Sequence, residues 1–385
     1  MSVNIKSKSY RSTRWTMYFF YVLIVLEFFY MATPVAVYFY SVYTPGLNLF
    51  NNIPGAAWLS GFFLPHIIEE TSSKLINLHN IAGVLFVSVG IVVFSSGMIH
   101  VYYNKLFKKG AVTSGIYKYI RHPQYLSFAI CSFGMLLLWP RYLVLVMFVT
   151  VLFVYYLLAK YEEKECEHKF GTAYIEHKNK TNMFLPIKII HNKHLFTLPA
   201  SRLKKWGCIV IIYIVSIVLS LGIARIVHKL SINALYSRDI NNSLYISVTE
   251  LDNNTFSKLI AVALQNDKVK GIINKTSQKN NRKYLNYILP VEMYISEIPM
   301  SGRNIDERNH FLNNSKPADV TTYKIIFTKA VLRNGSNIKN KDILLHTLTT
   351  KPIIEVWIDT SIGEVINLIV LPHEKRYGNT PVPVY

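Results

Sequence analysis

The run from Tyr142 to Ala159, YLVLVMFVTVLFVYYLLA, holds no charged residue. A segment this long and this apolar fits a bilayer interior, where every backbone polar group must be bonded within the segment itself. Four further runs have the same character: Trp15 to Tyr40, Ile81 to Tyr103, Tyr125 to Trp139 and Trp206 to Ala224. The whole chain of 385 residues is 51% hydrophobic and only 17% charged, which excludes an ordinary soluble domain. The expected fold is therefore a multi-pass α-helical membrane protein with about five transmembrane helices. Pro140 and Arg141 alone separate the third run from the fourth, so these two form a tight helical hairpin. The first run reads as a retained helix and not a signal peptide, because it contains Glu27 and no small-residue cleavage site comes after it.

Orientation follows from the basic residues. Lys6, Lys8, Arg11 and Arg14 precede the first run, Lys105, Lys108, Lys109, Lys118 and Arg121 lie between the second and third, and many more fall between Lys160 and Lys205. The long connection from Ser41 to Asn80 carries only Lys74. Cytoplasmic loops collect Lys and Arg, so the N-terminus and the basic segments face the cytoplasm and everything beyond Ala224 faces outward. The formal charge of +20 thus reports inward loops and anionic lipid, not nucleic acid, for which no motif is present. Cys131, Cys166 and Cys208 have neither zinc nor disulfide spacing. Basic inward loops and a cysteine-free outer part suggest a bacterial inner membrane.

From about Lys229 the texture becomes alternating and Asn-rich. Leu244 to Leu251, Lys283 to Ser296, Tyr323 to Leu332 and Ile353 to Leu371 read as strands, the last broken by a turn at Asp359 to Gly363, and Thr255 to Gln265 reads as a helix. The expected division is a helical membrane domain over 1–200, a fifth transmembrane helix within 201–228 and an extramembrane α+β domain over 229–385.

Between the second and third apolar runs stands GIYKYIRHPQYLSF, Gly115 to Phe128. Pro123 suits the first turn of a helix, which puts His122 at the N-cap. Free backbone N–H groups and the positive end of the helix dipole then lie beside Arg121, a place for a carboxylate or phosphate. Tyr117, Tyr119 and Tyr125 surround it, and an interfacial anchor of basic and aromatic residues accounts for the spacing equally well. The fourth run continues past the membrane as AKYEEKECEHKFG, which Gly171 can end in a left-handed C′ conformation. Glu162 and Glu163 are carried about one turn beyond Ala159. Glu165 and Lys169 form an ordinary i, i+4 pair, but two adjacent carboxylates near a membrane need cations or hydroxyl donors.

GAVTSGIYKYIRHPQYL followed, after one hairpin, by EEKECEHKFGTAY resembles the membrane methyltransferases that include isoprenylcysteine carboxyl methyltransferase and the phospholipid N-methyltransferases. The matching positions are Gly115, Tyr117, Tyr119, Arg121, His122, Pro123, Tyr125, Glu162, Glu163, Phe170, Gly171 and Tyr174, within about 109–186. Two departures stand out: Ser127 replaces the glycine after the motif tyrosine, and Thr181, Asn182 and Met183 replace a Val-Pro-Arg triplet before Phe184, Leu185 and Pro186. The resemblance implies S-adenosylmethionine as cofactor and a membrane-embedded acceptor, such as an isoprenoid carboxylate, a lipid headgroup or a small lipophilic molecule. It implies cofactor binding by Tyr117, Tyr119, Arg121, His122, Pro123, Tyr125, Glu162 and Glu163, with Arg121, His122 and Glu163 as the catalytic set and no metal. The cofactor's ammonium, sulfonium and ribose diol suit the glutamates, and its carboxylate suits Arg121 or His122 with the helix N-terminus. An amine acceptor needs a base, His122 or a glutamate, whereas a carboxylate acceptor needs none. Two rival readings are a sterol-type NADPH-dependent membrane reductase, which has a similar R-H-P turn, and a non-catalytic anchor for an outer sensing or partner-binding domain.

Smaller signals carry less. Glu27 lies in an apolar run and marks a functional position or a bond to another helix. His66 with Glu69 and Glu70 has helical metal-pair spacing but no third ligand, and reads as a solvated segment. His191 and His194 lie in a basic loop, and Asp306, Glu307, Arg308 and His310 read as solvated. His100 fits the cofactor pocket and the interface equally. Gly90 and Gly97 share one face of the second run, where small residues permit close packing.

Overall fold

The computed structural model describes residues 18, 19, 21, 22, 25, 49, 50, 52, 53, 55–66, 68, 70–107, 112–185, 201–240, 243–277, 283–295, 298, 300, 321–332 and 343–371. Glu27 and most of the first apolar run lie outside them, as do Glu69, His191, His194 and Asp306 to His310. The chain divides into two compact units, one of Met1–Phe39 with His79–Ala224 and one of Tyr40–Leu78 with Arg225–Tyr385.

In the first unit, α1 (His79–Leu106), α2 (Pro123–Leu138), α3 (Tyr142–Phe170) and α4 (Thr172–Lys180) are followed by α5 (Arg202–Ala234), which runs across the boundary into the second unit. Among the described residues three helical stretches are long and apolar enough to cross a membrane, Lys74–Asn104, Tyr142–Phe170 and Leu203–Ala234. Pro123–Leu138 is apolar but shorter. Helices α1 and α2 pack backbone to backbone. A Cβ on Gly90 would lie 2.8 Å from the Cys131 nitrogen, and one on Gly134 would lie 2.7 Å from the Gly83 carbonyl oxygen. Gly90 thus has the packing role its spacing suggests, while a Cβ on Gly97 would come no closer than 3.5 Å to a neighbour. Ser127 is fully buried in this contact and donates its hydroxyl to the Gln124 carbonyl at 2.7 Å.

Helix α3 is apolar to Ala159 and rich in charged residues beyond it. Thr150 Oγ1 and the Tyr213 hydroxyl, 2.9 Å apart, tie it to α5. It ends at Gly171, whose φ of +57° and ψ of −133° lie in a region that is essentially glycine's alone. The sequence places this stop but not the fold-back beyond it. The chain re-enters a helix at once, and α4 brings Lys178 back onto the α3 carboxylates Glu163 and Glu167.

The second unit is built on a six-stranded sheet in sequence order: β1 (Ser237–Ile240), β2 (Ser243–Ser247), β3 (Tyr284–Pro290), β4 (Thr322–Leu332), β5 (Thr347–Asp359) and β6 (Glu364–Val370). Only β2 and β3 pair in parallel, and α6 (Asn253–Gln265) with α7 (Asp267–Ser277) makes the crossover that parallel pairing requires. Every residue of β3 is buried, as expected of a central strand covered on both faces. Phe256, Leu259, Ile260 and Ala263, at helical spacing on α6, cover the face bearing Tyr245, Ile288, Ile325 and Val356. The opposite face, with Ile246, Leu285, Tyr287 and Ile326, is packed by Leu235, Ile343 and Ile68. The turn expected at Asp359 to Gly363 forms, with Asp359 Oδ1 accepting the Ser361 N–H at 2.8 Å.

Ile68 changes the reading of the His66 region. Expected to be solvated, the segment instead buries Phe62, Phe63, Leu64 and Ile68. His66 stacks on Phe62 with ring centroids 4.4 Å apart, and Glu70 accepts the Glu250 backbone N–H at 3.1 Å. Of these apolar side chains, Ile68 is the one that the sheet's second face takes up.

Candidate functional site

His122 is the N-cap of α2 and Pro123 its first residue, as the spacing requires. No side chain caps this end, and with Pro123 lacking an N–H the free donors are those of the next residues along. The approach to the cap is held from below by the strand-like segment after α4. The N–H groups of Arg121 and His122 donate to the carbonyls of Asn182 and Met183, each at 3.0 Å, with a parallel bridge between Ile120 and Asn182. The triplet Thr181–Asn182–Met183, where the resemblance departs from its family, acts here through its backbone carbonyls and also through the Thr181 hydroxyl, which donates to the His177 carbonyl at 2.7 Å, and Met183, which packs against the cluster of Tyr125 and Tyr155.

Arg121 reaches across to α3. Its Nε donates to Glu163 Oε1 at 2.7 Å, and its Nη1 donates to the carbonyls of Lys178, at 3.0 Å, and Thr181. Lys178 Nζ lies 3.1 Å from Glu163 Oε2 and 2.5 Å from Glu167 Oε1. The Glu163 side chain is only 1% exposed, so this carboxylate is held inside by two cations. Neither Lys178 nor the Thr181 carbonyl is marked by any spacing rule; both arrive through the fold-back at Gly171.

Glu162, the preceding residue on α3, looks elsewhere and is 26% exposed. Its Oε1 accepts the Tyr125 hydroxyl at 2.6 Å and the hydroxyl of Tyr21. The His122 ring lies between the two glutamates, Nδ1 3.5 Å from Glu162 Oε2 and Nε2 3.7 Å from Glu163 Oε1. Burial alone would lower the pKa of His122, but bonds and charge from Glu162 and Glu163 outweigh it and the net shift is upward. The ring stacks on Tyr125 at 5.5 Å, and Tyr125 stacks on Tyr155 at 5.4 Å. His122 Nε2 is buried without a hydrogen bond among the described residues.

Of the remaining expected residues, Tyr117 is buried, and burial together with the Glu162 charge pushes its phenol up to about 12. Tyr119, two residues on, is 61% exposed. The His100 ring packs over Gly115, which brings α1 against the turn carrying Tyr117, and its Nδ1 donates to the Ser96 carbonyl within α1 at 2.9 Å. No cluster of three or more potential metal ligands occurs among the described residues. The structure thus brings together Arg121, His122, Tyr125, Glu162 and Glu163, with Tyr117 close by. It adds Tyr21, Lys178 and Thr181, which no local pattern marks beyond aromatic and basic composition.

A carboxylate kept charged by phenols and an imidazole, at the end of an apolar helix and beside a free helix N-terminus, is suited to a small zwitterion or cation at a membrane surface. Residues 78–173 match the family model for phospholipid methyltransferase. That stretch is similar to a methyltransferase domain, in keeping with the motif resemblance, and it is accompanied by helices long and apolar enough to cross a membrane. No curated protein matches the chain. No solved structure matches it either.

Proposed function

We propose that the chain transfers a methyl group from S-adenosylmethionine to an acceptor lying in the membrane, an isoprenoid carboxylate, a lipid headgroup or a small lipophilic molecule. The observation that carries this reading is the meeting of Arg121, His122 and Tyr125 at the α2 N-terminus with Glu162 and Glu163 of α3, inside the matched stretch. The donor set fits the cofactor. Glu162 retains one oxygen whose nearest partner is 3.5 Å away, His122 has a ring nitrogen without a hydrogen bond, and the first turn of α2 has unpaired N–H groups. In that reading Glu162 takes a cationic or hydroxyl group of the cofactor, and His122 with the helix N-terminus takes its carboxylate. Glu163 holds Arg121 and Lys178 in place.

Bound there, the cofactor supplies a methyl group on a positively charged sulfur. Displacement at that carbon disperses charge, so the protein's work is alignment and exclusion of water, which the apolar walls of α2 and α3 favour. The reading includes about five membrane helices, a cytoplasmic N-terminus and site, anionic lipid at the basic loops, and an outward-facing sheet region. The test is calorimetry of S-adenosylmethionine with the detergent-purified chain, beside NADPH, for the wild type, Glu162→Gln and His122→Ala. Binding of the methyl donor that weakens tenfold or more in both variants, about 1.4 kcal/mol, is the expected result. A folded, monodisperse chain that ignores the donor defeats the proposal, and NADPH binding in its place would move the assignment to a membrane reductase.

A further inference from the structure

Tyr21 lies far outside the matched residues 78–173, yet its hydroxyl donates to Glu162 Oε1, 141 positions along the chain. The same oxygen accepts the Tyr125 hydroxyl at 2.6 Å. A carboxylate oxygen offers two lone-pair directions, so Oε1 is saturated by two phenols. Glu162 Oε2 is in a different condition, since its contact with His122 Nδ1 is 3.5 Å, beyond a normal hydrogen bond. One oxygen is fixed and the other is presented. The partly exposed position of the side chain leaves the presented oxygen reachable by a ligand.

We infer that Tyr21 is a positioning residue of the donor site: by sharing Glu162 Oε1 with Tyr125 it locks the carboxylate with Oε2 turned toward the bound cation or diol. The inference rests on the donor-site reading above. A free glutamate side chain carries rotamer entropy that ligand binding would otherwise have to oppose. Two charge-assisted O–H···O bonds on one oxygen remove most of that freedom before the ligand arrives. Tyr125 alone can follow Glu162 as it rotates. A second phenol from a separate segment restricts that shared motion. The donor site is then incomplete without the N-terminal segment, although the family match begins at residue 78.

The test combines two measurements on the full chain in detergent. Thermal unfolding of wild type, Tyr21→Phe, Glu162→Ala and the double variant asks whether the contact exists without any ligand; the Tyr21→Phe loss should shrink by half or more when Glu162 is absent. Calorimetry with S-adenosylmethionine then reports dissociation constant and stoichiometry separately. A positioning role raises the dissociation constant of Tyr21→Phe about threefold to tenfold at full stoichiometry, the size of one hydrogen bond. A purely structural role lowers the stoichiometry and leaves the constant unchanged. Tyr21→Met serves as a second hydroxyl-free variant should Phe misfold. An unchanged constant, or equal unfolding losses with and without Glu162, overturns the inference. If the wild type itself ignores the donor, the donor-site reading falls and the positioning role with it, while the unfolding cycle still reports whether the contact is real.

Discussion

Replacing Glu163 by glutamine tests the interior of the site most directly. The Glu163 side chain is 1% exposed and Arg121 is 9% exposed, so solvent does little to screen their 2.7 Å contact. Removing one charge of a buried pair costs about 3–5 kcal/mol, because the remaining ion is left uncompensated. Two features pull the value toward the lower end. Arg121 keeps its Nη1 bonds to the carbonyls of Lys178 and Thr181, and glutamine keeps an acceptor for Nε. A loss of about 3 kcal/mol is therefore expected, which for a unit of this size corresponds to a fall of about 6–12 °C in Tm. The assay must report the first unit alone. Cys131, Cys166 and Cys208 are free, half-buried and all in that unit, so a thiol-reactive fluorophore reads its opening. Lys178→Met is the comparison: its side chain is 31% exposed, and partly solvated pairs contribute about 1 kcal/mol or less. A Glu163→Gln melt within about 2 °C of wild type, or a Lys178→Met loss as large as that of Glu163→Gln, would refute the argument that burial sets the size of the effect.

His122 has a pKa raised above its ordinary 6.5, so its contribution to stability is complete below 6.5 and is lost as pH rises through the folded value; wild type should converge on His122→Asn in Tm as pH is raised above neutrality, and a gap that widens instead contradicts the sign. Gly134→Leu should destabilise by about 1–3 kcal/mol or more by overpacking the α1–α2 contact, seen as faster thiol labelling, whereas Gly207→Leu on α5, with nothing within 4 Å of its Cβ position, should be neutral. Ile68→Ala should cost about 2–5 kcal/mol and expose the sheet region to protease, since Ile68 is 1% exposed against the Leu235 to Tyr287 cluster.

How much of this was legible depends on where each signal resides. Pro123 after His122, and the change from apolar to charged residues after Ala159, are local, so the sequence locates the N-cap of α2 and the exit of α3. Gly171 is equally local. The strands β2, β3 and β4 announce themselves as short runs rich in apolar and aromatic residues, buried almost throughout, but β1 is four residues with only partial burial, and the start of β5, Thr347 to Lys351, is largely polar and becomes a strand only by pairing with β4. Tertiary contact decides such segments, not propensity. The same division runs through the site. Arg121, His122, Glu162 and Glu163 stand in recognisable order, whereas Tyr21 is one aromatic residue among many until the fold places it against Glu162. Tyr117 and Tyr119 look equivalent in GIYKYIRHP, and only the turn after Gly115 buries the first and exposes the second.

The adjacent glutamates invite treatment as a duplicate, and the helix makes them unlike. Successive residues on an α-helix point about 100° apart, so two neighbours in sequence cannot share one set of partners. Glu163 turns inward to Arg121 and Lys178, and its charge is matched by theirs. Glu162 turns toward Tyr21, Tyr125 and the imidazole of His122, so its charge is met by two hydroxyl donors and, when the ring is protonated, by one positive charge shared with Glu163. A carboxylate in a partly desolvated place is costly unless charge and hydrogen bonds offset it. The two carboxylates therefore differ in their partners: Glu163 meets Arg121 and Lys178, whereas Glu162 meets two phenols and the imidazole, and that difference is the basis for proposing Glu162 as the one presented to a ligand.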